Sequence, residues 1–212
     1  MSSQRFRVSG IGLLVGAATF IVHIVARSAI TAAAGGDTAT FAKEGLWVTI
    51  NALGVMGAAL VLLGMPAMYA RIAGPIGLLG LVGVVLIALG WMFFGLFLSL
   101  FSAIVLPWLA DKAPSLVDAI NQSAGLIIAF IGGLVAVLVG TVLLAIPFIR
   151  GGAQPRWVGY VLVASALMTV VGDFIIAPNG PATNLAVNLL SNLGPVLLMI
   201  ALGYLGSRMW SR

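Results

Sequence analysis

The sequence contains no cysteine, a single histidine and only five acidic residues among its 212. Without cysteine there can be no disulfide, thiolate metal site, iron–sulfur cluster or cysteine nucleophile. One histidine excludes bis-histidine haem ligation within a chain, and too few nitrogen or carboxylate ligands converge for zinc. Charge of either sign is scarce. Only 7% of residues are charged, against about a quarter in soluble domains, while 62% are hydrophobic. A fold in water could not clothe so much apolar side chain, which excludes a cytosolic enzyme.

Further absences narrow the chemistry. Both lysines, Lys43 and Lys112, fall in polar connections, so no helix offers one for a retinal Schiff base. Asp173 is the only well-embedded acid, which excludes paired-carboxylate catalysis and dinuclear metal chemistry. No glycine-rich loop has the phosphate-binding or dinucleotide spacing. No arginine-rich segment reads as a voltage sensor, and no selectivity filter stands out. The residues therefore imply no catalytic set, no cofactor and no metal. The net charge of +5 is spread thinly over short loops. It sets orientation and meets anionic headgroups, and no basic run with interleaved aromatics points to nucleic acid.

What the chain has in abundance is long apolar runs. A spanning helix needs about 20 predominantly apolar residues. Six segments qualify, at about 8–33, 46–70, 75–100, 120–148, 157–178 and 184–207. They lack the period-two alternation of barrel strands. The expected fold is all-α: a single transmembrane domain over residues 1–212, a six-helix bundle of three consecutive hairpins at about 1–71, 72–150 and 151–212. The third and fourth segments are long for a straight crossing. Tilt absorbs the excess, or Phe101–Trp108 forms a short interfacial helix ending near Pro107. The first segment has some look of a signal peptide, but His23 and Arg27 interrupt it, and an uncleaved helix is expected.

Arg5, Arg7, Arg71, Arg150, Arg156, Arg208 and Arg212 fall at one set of helix ends, without an acid. Asp37, Lys43, Glu44, Asp111, Lys112 and Asp118 fall at the other. The basic excess predicts that both termini are cytoplasmic. Trp47 and Trp108 are expected in an outer aromatic belt, and Tyr69, Trp157, Tyr204 and Trp210 in an inner one. Val61–Pro66 followed by Arg71 is echoed by Val142–Pro147 followed by Arg150, and more faintly by Val196–Leu198 ahead of Arg208. Either the hairpins are an ancient repeat or leucine-rich sequence coincides; the residues leave both open. Gly12 and Gly16, and Gly132, Ala136 and Gly140, are spaced for close helix packing.

Polar residues concentrate in the outer half. At 1.5 Å per residue, His23 stands about 22 Å above Val8 and Asp173 about 24 Å above Trp157, with Arg27 one turn higher than His23. Asn51, Asn121, Gln122, Asn184, Asn188 and Asn192 come early in descending helices. Gly12, Gly16, Thr19, His23 and Arg27 share an arc of about 80°, as do Asn184, Asn188 and Asn192. Asn184, nearest a helix start, also suits a cap.

The candidate ligand-binding residues are thus His23, Arg27, Asn51, Asp173, Asn184, Asn188 and Asn192. They suggest an outward-facing polar pocket among the first, fifth and sixth helices, with Asp173 balancing Arg27 or His23. A buried ion pair with asparagines bridging helices, or side chains snorkelling to the interface, would give the same pattern. Two functions follow. One is a protein that binds or transports a small polar or amphiphilic ligand. The other is a non-catalytic membrane subunit, sensor or assembly factor whose glycine-rich faces dock another membrane protein. Membrane lipids are the certain neighbours; a homo-oligomer or a membrane-protein partner fits the second function.

Helix exits in which proline precedes arginine, and the helix entry Gln154-Pro155-Arg156-Trp157-Val158-Gly159, complete the picture. In these features the chain resembles uncharacterised small multipass membrane proteins of bacteria. The resemblance implies a prokaryotic plasma membrane and brings no catalytic residue with it.

Overall fold

The computed structural model describes residues 3–121, 123–151, 153, 155–178 and 183–210. Gln122, Gln154 and Arg212 lie outside the described residues, as do the side chains of Arg5, Asp118, Asn121 and Trp210. The described elements are helical throughout, as expected where a backbone surrounded by lipid must satisfy its own polar groups. They are α1 (Ser3–Ala33), α2 (Thr38–Phe41), α3 (Trp47–Trp91), α4 (Leu98–Lys112), α5 (Ser115–Asn121), α6 (Ala124–Ile149), α7 (Arg156–Val171), α8 (Leu185–Ser191) and α9 (Leu193–Trp210). Two wider π-helical turns, Met92–Phe97 and Gly172–Ile176, join α3 to α4 and extend α7.

Four stretches among the described residues are long and apolar enough to cross a membrane: Arg7–Ala33, Trp47–Lys112, Ala124–Ile149 and Arg156–Ile176. A fifth is formed if α8 and α9, bent by 52° at their junction, count as one. The protein is a multipass helical membrane protein. The stretch Trp47–Lys112 would run to about 100 Å if straight. It is not straight. At Gly77 the backbone leaves the helix (φ 58°, ψ −157°), a conformation open essentially to glycine alone. Phe20 lies against Gly57, and its ring also sits 4.8 Å from that of Trp91. A continuous helix would hold residues 57 and 91 about 50 Å apart, so the chain doubles back at Gly77.

With that reversal the arms form a closed antiparallel ring. α1 packs on the first half of α3, the second half of α3 on α6, α6 on α7, α7 on α9, and α9 back on α1. The seams are made of small residues, because only dispersion, hydrogen bonding and close approach hold helices together in lipid. A Cβ on Gly16 would stand 2.9 Å from the Gly57 carbonyl oxygen, and one on Gly90 2.6 Å from that of Gly133. Gly140 meets Gly83, and Gly206 meets the Gly10 carbonyl, in the same manner. Inside the ring, Phe20, Met68, Ile87, Leu144, Leu162 and Leu202 belong to one buried apolar cluster. The interior is packed side chain.

The two ends differ. Arg7, Arg71, Arg150, Arg156 and Arg208 are exposed at one, here the arginine end. The other, the capped end, carries α2, α5 and a second apolar cluster of Phe41, Trp47, Leu106, Leu109, Ala110 and Val117. Trp108 is exposed, but Trp47 is fully buried and donates its indole N–H to the Ser102 carbonyl at 2.8 Å. The expected belt position of Trp47 is thereby corrected: a folded cap over the bundle end takes the ring out of the interface. Phe101–Trp108 is no separate interfacial helix but the middle of α4, which runs on through Pro107 and is joined to α3 by the turn at Met92–Phe97.

Candidate functional site

The polar residues of the capped half separate into three groups. In the first, His23 shares a 2.8 Å hydrogen bond between Nδ1 and the Ile50 carbonyl oxygen, and its ring fills the space over Gly54. One turn on, the Arg27 guanidinium lies 5.6 Å from the centre of the Trp47 ring. Such a cation–π contact contributes roughly 0.5–2 kcal/mol when desolvated. Asn51, fully buried, donates from Nδ2 to the Trp47 carbonyl at 2.9 Å. Its Oδ1 and the buried Nε1 of Trp91 have no partner among the described residues. His23, Arg27 and Asn51 thus come together at the α1–α3 seam.

In the second group Asn188 bridges α8 to α1. Its Nδ2 lies 3.2 Å from Thr31 Oγ1 and 3.4 Å from the Ser28 carbonyl oxygen. Asn192 turns back on its own helix, donating to the Asn188 carbonyl at 2.8 Å. Asn184 caps α8 by accepting the Ala186 N–H and is exposed. A related contact ties α7 to α9, where the Ser165 hydroxyl donates to the Gly194 carbonyl at 2.8 Å.

Pro195 explains why α8 and α9 part at Asn192. It has no N–H for the Ser191 carbonyl four residues earlier, and its ring crowds that carbonyl. The freed carbonyl presses directly on Gly172, where the wide turn of α7 begins.

Asp173 stands alone as the third group. It follows Gly172 in that wide turn and is half-buried, and its Oδ2 is occluded without a hydrogen-bond partner. Among the described residues the ion pair joins Lys112 to Asp111 at 2.8 Å, and none joins Asp173 to Arg27 or His23. The balancing of Asp173 by either base is therefore corrected. The reason is the ring order: α1 neighbours α3 and α9, whereas α7 neighbours α6 and α9. His23 and Arg27 face α3.

Ser28, Thr31 and Ser165 escape the sequence reading, because hydroxyls in apolar helices mostly satisfy their own carbonyls. Thr31 does so too, reaching the Arg27 carbonyl oxygen at 3.1 Å. Only the partner asparagine on α8 would have drawn attention to it. No group of three or more metal-ligating side chains occurs among the described residues. Compared with known proteins, the chain matches no family model, no curated protein and no solved structure.

Proposed function

We propose that the chain crosses a prokaryotic plasma membrane six times, with both termini cytoplasmic, and binds a small amphiphilic molecule in its outer half. The exposed arginines at one end and the mixed charge of the capped end support this orientation. The doubled-back Trp47–Lys112 stretch supplies two of the crossings, and α8 with α9 supplies the last.

One observation carries the binding reading. Two opposite charges, Arg27 and Asp173, stand in the same half of an apolar bundle, and neither meets a charged partner among the described residues. Ionisable groups held at membrane depth are costly and mark ligand or ion sites by default. Arg27 is eased by Trp47; Asp173 has nothing comparable. The packed apolar interior among the described residues favours binding over conduction. The docking-subunit reading draws less support from Gly16, Gly83, Gly90 and Gly140, which serve seams within the chain, than from Gly132, which is open.

The test compares thermal unfolding in neutral detergent, with and without a panel of anionic, neutral and cationic amphiphiles, against flux of the same compounds into proteoliposomes. Stabilisation without flux is expected. Rapid flux, or no stabilisation by any member of the panel, would overturn the reading.

A further inference from the structure

A second site is built where α6 and α7 meet, and it belongs to the arginine end. Arg150 closes α6 and Arg156 opens α7. Both are exposed, and all five acidic positions of the chain fall in the capped half, so neither has a carboxylate at its own end. Gly151 between them turns with φ 84°, and a Cβ there would stand 2.8 Å from Nη2 of Arg156. The Arg156 guanidinium therefore folds back over the residue next to Arg150, and two cations share one short connection.

From this connection a stripe rises on each helix. Arg156, Tyr160, Val163, Leu167 and Val170 recur on α7 at alternating steps of four and three. Arg150, Ile146, Leu143 and Val139 do the same on α6. This spacing keeps residues on one face of a helix. Near the connection the helices touch, since a Cβ on Gly159 would lie 2.9 Å from the Ala145 carbonyl oxygen. Higher up they part around a groove of about 370 Å³, lined by apolar side chains that include Val139 and Leu143 on α6 and Val163, Leu167 and Val170 on α7. Val139 and Leu167 are exposed, so the groove opens sideways to the surrounding hydrocarbon.

We propose that this crease binds one anionic phospholipid of the leaflet at the arginine end. Its phosphate lies against Arg150 and Arg156, and one acyl chain follows the two stripes into the groove. Depth fits this occupant. Val139 and Leu167 each stand about 16.5 Å above their arginine at 1.5 Å per residue. One leaflet contributes about half of a hydrocarbon core roughly 30 Å thick, so a chain starting at the arginines ends in the groove. Charge selects the head. Two guanidiniums without a carboxylate suit a headgroup of net negative charge, which arginine meets with paired N–H donors. The ammonium of a zwitterionic lipid would find no acid there. Tyr160, exposed one turn above Arg156, lies at the level where aromatic rings meet headgroups.

The experiment uses the whole protein in neutral maltoside micelles, titrated with phosphatidylglycerol, phosphatidylcholine and the chain-free glycerol phosphate. Wild type is expected to bind phosphatidylglycerol about tenfold more tightly than phosphatidylcholine, and the double variant Arg150→Gln/Arg156→Gln to lose that preference. Arg71→Gln, at an exposed arginine of the same end outside the crease, should keep it. A phosphatidylglycerol with a photoreactive group at its chain terminus should label residues 138–143 or 163–170. Val139→Trp, which fills the groove and keeps both arginines, should abolish that labelling. If either altered protein fails to fold, the other decides the matter with the wild-type labelling. Equal affinity for the two lipids, an equal loss in Arg71→Gln, or labelling elsewhere overturns the proposal. So does glycerol phosphate binding as tightly as the lipid, or a dimer that Val139→Trp dissociates, which would make a second copy the occupant.

Discussion

At the scale of single residues, the bundle depends on what glycine leaves out. Gly90 and Gly132 lie on facing helices of similar composition, yet a methyl group at the first would collide with the Gly133 carbonyl and the Val137 backbone, while at the second it meets nothing within 4 Å. Gly90→Ala is therefore expected to cost about 1–3 kcal/mol, the usual range for overpacking, and Gly132→Ala to be close to neutral. Thermal unfolding in detergent measures both; equal effects would refute the seam. Asn188→Ala removes a bridge from α8 to Ser28 and Thr31. Bonds of this kind in membranes are worth about 0.6 kcal/mol on average and up to about 2. A loss in that range, reduced by prior Thr31→Ala in a double-mutant cycle, is the expected result.

Much of this scale was legible in the sequence. The concentration of polar residues in one half, the capping role of Asn184 and the glycine spacing all follow from position along a helix. What a helix face meets does not. The arc shared by His23 and Arg27 was visible, but two neighbours compete for any face in a ring. The choice of α3 over α9 rests on Gly54, whose missing side chain accommodates the imidazole. Nor does sequence spacing disclose that the wide turn carrying Asp173 packs on α8, since this depends on which helix lies beside α7.

Among the elements, the reversal at Gly77 matters most. Proline and arginine near residues 71–75 mark the place in the sequence, but the helical pattern runs on to either side with little interruption, and the turn is made by one backbone conformation. Gly77→Ala should cost about 1–3 kcal/mol by forcing a side chain into a region essentially reserved for glycine. Gly74→Ala, a few residues earlier with open space around it, serves as the neutral comparison. Differential unfolding of the two variants checks this. The wide turns at Met92 and Gly172 were not legible, because an extra residue in one turn leaves the composition unchanged. The break before α9 was better announced, by Pro195.

For the whole molecule, the lack of cysteine becomes useful. Single cysteines placed at Asp37, Lys112, Arg71 and Arg150 report sidedness against no background. In intact cells an impermeant maleimide should modify the first two and reach the latter pair only after permeabilisation. The opposite pattern would invert the orientation, and labelling of all four from outside would refute the six-crossing topology. Composition already gave the membrane class, since 62% hydrophobic residues leave few other settings for the chain.

The ring closes between its two most distant partners in sequence: Gly206 against Gly10 and Leu13, Gly203 against Ala17, and Asn188 against Thr31. Synthesis delivers α1 to the bilayer well before α9, so the earlier arm must wait with one flank unmatched until α9 has emerged. Any nascent chain stalled before that point presents the flank to insertion chaperones and membrane proteases, and completion of the circle is what would withdraw it from their reach.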